Sequence, residues 1–269
     1  MTIGDLINNG GLDRNDAELL IAYVLGKPRS FVIAHGNEEI DSDRLELLRT
    51  KIERRRSGEP LAYITGSKEF YGRDFLITRD TLVPRPATEA LITDSLQFLQ
   101  GKTPITHEID SEISAYSCRF QGTPVEAVLD IGTGSGCIAI TLALEGVTLP
   151  IIAVDTSDSA LRIAIKNAKN LGAQTVQFTR ADGTNVVRNF HRPFLIVSNP
   201  PYIPKETILE KTVHDFEPHK ALFAGSDGLD VIRPLLMAAR GNANCVGVVV
   251  EMRTEQVRAS VEICDMLCS

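Results

Sequence analysis

From residue 125 onward the sequence alternates between short apolar runs and helix-periodic segments, and this alternation constrains the fold more than any other feature. Residues 127–131 predict a strand that runs into Gly132-Thr133-Gly134-Ser135-Gly136 and then an apolar helix reaching about Leu144. Residues 151–154 predict a second strand ending at Asp155, with a helix over 158–171. A strand at 176–179 closes on Asp182, and one at 195–198 closes on Asn199-Pro200-Pro201-Tyr202. A helix over 230–240, a strand over 246–252 and a helix from Thr254 complete the series. Strands that are apolar throughout, rather than alternating, belong to sheets buried on both faces. Alternation with helices makes such a sheet mostly parallel, so the fold class is α/β and Rossmann-like.

Composition narrows the class. The chain has 269 residues, enough for one or two domains, with 43% apolar and 23% charged residues. That excludes a disordered or low-complexity chain. Twenty-eight Lys and Arg stand against 35 Asp and Glu, a net charge of −7. Such a balance disfavours a general nucleic-acid coat, which neutralises phosphates with a cationic surface. Five cysteines without a CxxC pair fit a reducing compartment. The first residues, MTIGDLINNGG, show no basic-then-apolar leader, and no apolar run reaches about 18 residues. A cytoplasmic protein with no membrane association is expected.

The first part of the chain reads differently. Residues 1–58 predict a helical domain, with Leu19, Leu20, Tyr23 and Val24 at helical spacing and Gly26 and Pro28 as a stop. A further helix starts at Asp41-Ser42, both good N-cap types, and carries Leu45, Leu48 and Ile52 on one face. Its last turn, Arg54-Arg55-Arg56, suits the negative end of the helix dipole, and a contact for an acidic partner is the alternative. Residues 59–85 predict a hairpin linker around Tyr71-Gly72, between runs holding Phe70 and Phe75. Pro84-Arg85-Pro86 then leads into a helix over 87–99. Residues 101–124 are polar and turn-rich and read as a loop or insertion. The catalytic-type α/β domain is placed at 86–269.

Four strand ends carry residues suited to chemistry. The glycines at 132, 134 and 136 let a backbone turn tightly and approach a ligand, while the following helix N-terminus offers amides. A tight turn without ligand fits the same residues. Asp155 is placed to accept from ribose hydroxyls, or to cap a helix. Asp182 with Gly183 is placed to line a base, or simply to make a turn. In Asn199-Pro200-Pro201-Tyr202 the two prolines remove two N–H donors and stiffen the backbone. The Asn199 side-chain oxygen and the Pro200 carbonyl are then two acceptors able to converge on one planar NH2 group, with Tyr202 beside it. A rigid turn is the alternative.

With these motifs in view, the sequence resembles the bacterial protein-glutamine N5-methyltransferases that act on peptide chain release factors. Further segments carry the likeness: Glu59-Pro60-Leu61-Ala62-Tyr63-Ile64-Thr65-Gly66, Glu69-Phe70-Tyr71-Gly72, Val83-Pro84-Arg85-Pro86-Ala87-Thr88-Glu89, Phe216-Glu217-Pro218 and Asp227-Gly228-Leu229. The resemblance implies a class I methyltransferase using S-adenosyl-L-methionine and a release factor as protein partner; no metal is expected, because His214 and His219 share no helix face and no thiolate joins them. It implies that Gly132, Thr133, Gly134, Ser135 and Gly136 contact the methionine part of the cofactor. Asp155 would hold the ribose, and Asp182 and Gly183 the adenine. Asn199, Pro200, Pro201 and Tyr202 would form the glutamine pocket, with Asn199 touching the cofactor as well. Residues 84–89 would wall the site, with Arg85 and Glu89 alternatively an ion pair. A monomer without direct nucleic-acid binding is expected.

Three departures from the family pattern matter. Glu251-Met252-Arg253 follows the fifth strand where the family has Glu-Ile-Gly or similar, and residues 101–124 form a longer segment than the family pattern. The last two strands of the family's sheet have no counterpart after the helix beginning at Thr254, which is expected to run to Leu267. Strand 246–250 is therefore expected to be a bare apolar edge, an aggregation liability. Two further readings share the motifs: an adenine-N6 nucleic-acid methyltransferase, and a truncated cofactor-binding protein without turnover.

Overall fold

The computed structural model describes residues 1–102 and 106–265. Five helices come first: α1 (Ile3–Asn9), α2 (Arg14–Leu25), α3 (Arg29–Ala34), α4 (Ser42–Arg56) and α5 (Leu61–Thr65). Strands β1 (Ser67–Phe70) and β2 (Arg73–Leu76) precede α6 (Glu89–Leu99), β3 (His107–Glu108) and β4 (Ile113–Arg119). Then come β5 (Ala127–Ile131), α7 (Cys137–Leu144), β6 (Ile151–Asp155), α8 (Asp158–Leu171), β7 (Gln177–Arg180), α9 (Gly183–Arg188) and β8 (Phe194–Ser198). The chain continues through α10 (Lys211–His214), α11 (Ile232–Gly241), β9 (Cys245–Arg253) and α12 (Val257–Asp265). It divides into two compact units: 1–67 with 209–216, and 68–208 with 217–269.

The helical unit is organised by its caps. Thr2 forms a capping box with Asp5, and Asp13 and Asp41 accept from the backbones of Asp16 and Arg44. Ile3, Leu20, Ile21, Val32, Leu48 and Ile52 make its core. Arg54-Arg55-Arg56 do form the basic last turn of α4, as expected, and their side chains are also engaged inside the unit. Arg54 donates twice to Glu59 at 2.8 Å, Arg55 pairs with Asp16, and Arg56 donates to the Gly10 carbonyl at 2.7 Å.

In the larger unit the sheet order is β3-β4-β9-β8-β5-β6-β7. The pairs among β5 to β9 are parallel, as continuous apolar strands require, and β5 and β8 are buried at every residue. Leu129, Ile131, Ile196 and Val248 share a core with Ile232, Leu235 and Leu236 of α11 and Val187 of α9. The layer on the opposite side contains α6, α7 and α8. The hairpin expected near Tyr71-Gly72 is present, with φ of 52° and 72° at its tip, the left-handed pair that matches strand twist.

Where a loop is expected over 101–124, His107–Glu108 and Ile113–Arg119 are strands. Residues Ile113–Arg119 lie antiparallel along Gly247–Arg253, so the expected bare edge of β9 is hydrogen-bonded over seven residue pairs. β3 adds a short outer strand. The sheet thus has seven strands although, among the described residues, none follows β9. The physical reason is packing: Ala115 and Tyr116 are buried, and Ser114 meets Thr254 through their hydroxyls at 3.0 Å. An open apolar edge is a template for any segment that can present an extended backbone. The expected helix end at Leu267 and Cys268 lie outside the described residues. Among the described residues no helix is long and apolar enough to cross a membrane.

Candidate functional site

The sheet order reverses between β5 and β8, each the start of a crossover to one side, and ligands of open α/β sheets bind at the carboxyl end of such a switch point. A cavity of about 570 Å³ opens there. Gly132, Thr133, Gly134, Ser135, Asp155, Asp182, Gly183, Asn199 and Pro201 all line it. A smaller hollow of about 380 Å³ in the helical unit gathers none of the sequence-predicted residues.

The glycine turn is stitched to its neighbours by backbone bonds. Gly132 and Thr133 donate to the Val154 carbonyl at 2.8 and 3.0 Å, and Gly136 donates to Thr133 at 2.8 Å. Gly132 has φ 75°, and a Cβ there would meet no protein atom within 4 Å. The open space is the cavity. Gly136 is different: it caps α7 from behind the cavity and touches Ile140 and Ala164. Thr133 turns inward, its hydroxyl donating to Asp130 Oδ2 at 2.6 Å. Asn167 of α8 donates to the Ser135 carbonyl at 2.9 Å and clasps the backbone of Leu76 on both sides.

The carboxylates at the strand ends hold structure while facing the cavity. Asp155 accepts from the Gly134 amide at 2.9 Å and the Ser157 amide at 2.8 Å. Asp182 caps α9 by accepting from Asn185 at 2.9 Å. Gly183 is required by packing, since a Cβ would lie 2.3 Å from Ile131 Cγ2. Asp130 is fully buried, and burial pushes its carboxyl up to about 7 against the pull of Thr133 and the Ala139 amide. Its Oδ1 has no hydrogen-bonding partner.

The Asn-Pro-Pro-Tyr turn contributes unevenly. Asn199 lines the cavity, and its Nδ2 donates to Thr88 Oγ1 at 2.9 Å. Pro200 is buried, and neither it nor Tyr202 is part of the cavity wall. The Tyr202 hydroxyl instead donates to Glu251 Oε1 at 2.9 Å, and its carbonyl accepts from Gln256. Glu251 has no exposed surface, and burial raises its carboxyl above the usual range despite the nearby hydroxyls and the Arg85 charge. Arg85 and Glu89 do not form an ion pair with each other. Arg85 pairs with buried Glu217 at 2.5 Å, and Glu89 accepts from the Tyr71 amide at 2.8 Å. Pro84 and Thr88 do form part of the wall.

Sequence reasoning missed Asp130, Asn167, Glu217 and Glu251 as supports of the site, and residues 79–82 and 219–221 as walls. Asp130 and Glu251 carried a signal, an acidic residue within or at the end of an apolar strand, and Glu217 stands in a segment that carries the family likeness.

Comparison with known proteins gives two family matches: the PrmC N-terminal domain over residues 7–66 and the methyltransferase small domain over 107–223. The release factor glutamine methyltransferase of Koribacter versatilis is 40% identical over 224 residues, covering 82% of this chain and 72% of that protein. The protein of the same name from Bacillus subtilis is 37% identical, with 83% and 72% covered. That from Bordetella pertussis is 36% identical, with 88% and 80% covered.

Proposed function

Because the chain belongs to the family of release factor glutamine methyltransferases, we propose that it methylates the side-chain amide nitrogen of a glutamine in a peptide chain release factor, with S-adenosyl-L-methionine as donor. The observation that carries this reading is the placement of Asn199 on the same cavity as the glycine turn, Asp155 and Asp182.

The residues fit the cofactor. Gly132 leaves open space where a side chain would intrude, and the Gly134 amide and Asp155 carboxylate meet at the rim. Gly132 to Ser135 would hold the methionine part, Asp155 the ribose, and Asp182 with Gly183 the adenine. The bound cofactor supplies an electrophilic methyl carbon.

An amide nitrogen is a weak nucleophile because its lone pair is delocalised into the carbonyl. The chain's task is therefore orientation and not strong base chemistry. Asn199 Oδ1, on the cavity wall, accepts an N–H bond of the glutamine amide and orients it, while the Pro200 carbonyl expected as second acceptor belongs to a buried residue outside that wall. Formation of the nitrogen–methyl bond at the expense of the donor's sulfur–methyl bond would make the nitrogen cationic until one N–H proton leaves to water, and Asn199 Oδ1 would bind that cationic N–H more strongly, which would lower the barrier. Pro200 and Pro201 keep the turn from relaxing. Tyr202 anchors the turn through Glu251. The net charge of −7 supports a protein substrate over a nucleic acid. In this reading the protein acts as a cytoplasmic monomer.

The test is incubation with the cofactor and a release factor, followed by mass-spectrometric mapping. One glutamine should gain the mass of a methylene. Transfer to DNA or RNA instead, or cofactor binding with no transfer to any release factor, would refute the reading. Asn199→Ala should lower kcat by on the order of 10²–10³ while the cofactor still binds, the range seen when one positioned transition-state contact is removed.

A further inference from the structure

An asparagine can present either its oxygen or its NH2 group to a cavity, because the two arms are nearly equal in shape. If Asn199 is to accept an N–H, something must hold it with Oδ1 outward. Thr88 and Glu251 are the polar groups next to it. Asn199 Nδ2 donates to Thr88 Oγ1 at 2.9 Å. Thr88 is 2% exposed, at the start of α6, where the Pro84-Arg85-Pro86 segment delivers it. Behind both lies the Glu251 carboxylate, 0% exposed, with Oε1 taken by Tyr202 and Oε2 without a hydrogen-bonding partner.

The polarity of this set follows from its members. An ionised carboxylate only accepts, so a hydroxyl near it turns its proton toward it. Tyr202 already does so at Oε1; burial raises the Glu251 carboxyl above its usual range, and the polar groups of Thr88, Tyr202 and Asn199 pull against that rise. With the Thr88 hydroxyl proton turned away from Asn199, Thr88 Oγ1 offers a lone pair to Asn199 Nδ2. A flipped Asn199 would bring its own oxygen against Thr88 Oγ1 and the buried carboxylate, an acceptor facing acceptors. Such a contact inside a protein is costly, because no water relieves it.

We propose that Thr88 and Glu251 are positioning residues that fix the amide of Asn199 with NH2 inward and Oδ1 toward the substrate. This rests on the methyltransferase reading above, and it assigns the second half of the amide pocket to residues outside the Asn-Pro-Pro-Tyr motif. Neither residue touches the reacting atoms. Thr88 couples the helix after the linker to the turn after β8, and Glu251 couples the end of β9 to both.

Three variants test it on the full chain: Thr88→Val and Glu251→Gln, which keep shape and remove the acceptor pattern, and Thr88→Ser, which keeps the hydroxyl. With release factor as substrate, Thr88→Val and Glu251→Gln should lower kcat roughly 10- to 100-fold, about 1.4–2.8 kcal/mol, with cofactor affinity within about twofold of wild type. Thr88→Ser should recover most of kcat. In an Asn199→Ala background Thr88→Val should cause no further loss, because the group it orients is gone. The side-chain NH2 signal of Asn199, identified by its disappearance in Asn199→Ala, should be slow to exchange in the wild type and fast in Thr88→Val. Equal losses with and without Asn199, or an unchanged kcat or NH2 signal in Thr88→Val, would overturn the proposal. Absence of any wild-type methylation would strike the functional reading instead, and the NMR comparison would still decide the orientation.

Discussion

Gly132 and Gly136 both adopt left-handed backbone, yet their replacement by alanine should do opposite things. In either place a side chain in that conformation costs about 1–2 kcal/mol. At Gly136, φ 83°, the new Cβ would also lie 2.8 Å from Ile140 Cδ1 and 3.1 and 3.3 Å from Ala164 Cβ and Cα. The tip of Ile140 can rotate aside, but Ala164 is part of the α8 backbone and cannot. Overpacking of this kind adds about 1–3 kcal/mol, so Gly136→Ala should lose about 2–5 kcal/mol in total. At Gly132, φ 75°, no protein atom lies within 4 Å, so the stability loss stays at the backbone term. There the Cβ occupies cavity space instead, and an overlap of about 1–3 kcal/mol converts to roughly 5- to 150-fold weaker cofactor binding. Urea unfolding at constant m-value reads the first quantity and calorimetric titration with S-adenosylmethionine the second. Equal stability losses for the two variants, or wild-type cofactor affinity in Gly132→Ala, would refute the division between a packed and a ligand-facing glycine.

Asp130 should make stability fall with rising pH. Its carboxyl goes from the ordinary 3.8 when unfolded to about 7 when folded, so the native state holds the extra proton between those values. That stability is present below the unfolded value and lost as pH rises through the folded one, on the order of 4 kcal/mol in full. Comparing urea unfolding of wild type and Asp130→Asn across this window should show the slope only in the wild type, and parallel slopes would exclude the assignment. Arg85→Met strands the Glu217 carboxylate, whose side chain is 1% exposed, with the Val83 amide as its remaining bond. A loss of about 2–3 kcal/mol in thermal or urea unfolding is expected, below the full buried-pair value because Arg85 is part-exposed. A loss under about 0.5 kcal/mol, the ordinary surface range, would show the pair to be dispensable. Cys118→Pro removes a backbone N–H of β4 that faces β9 and should free that edge. Concentration-dependent light scattering should rise, and a monodisperse variant would count against β4 as the cover.

What the sequence discloses depends on where the burial is. β5, β6, β8 and β9 are apolar almost throughout because helices cover both faces, and their ends fall where the runs predict. β4 was hidden because Ser114, Ser117 and Arg119 break any apolar run, and its strand character comes from the exposed edge of β9. The short helices α5 and α9 left no periodic trace over their few residues. Of the candidate site, the cavity-lining residues at 132–135, 155, 182, 183, 199 and 201 follow from strand ends alone. Tyr202 was placed beside the substrate on its chemistry as an aromatic, but a phenol next to a buried carboxylate donates to it. That neighbour lies far away in sequence, so no local pattern could show it.

The missed residues share one arrangement. Asp130, Glu217 and Glu251 are 0%, 4% and 0% exposed, and each sits behind one segment that lines the cavity. Asp130 takes the Thr133 hydroxyl of the glycine turn. Glu217 takes the Val83 amide and the Arg85 guanidinium beside Pro84. Glu251 takes the Tyr202 hydroxyl of the turn after β8. Buried carboxylates are costly, and well-packed apolar groups in the same positions are often as stable or more so. An apolar group cannot, however, dictate where a hydroxyl or amide points, whereas a hydrogen-bonded carboxyl group in a dry interior does. The reaction needs two loops and a linker held still around a weak nucleophile, with no strong base to compensate for misplacement. Three buried carboxyl groups, one per segment, provide that rigidity at the expense of stability.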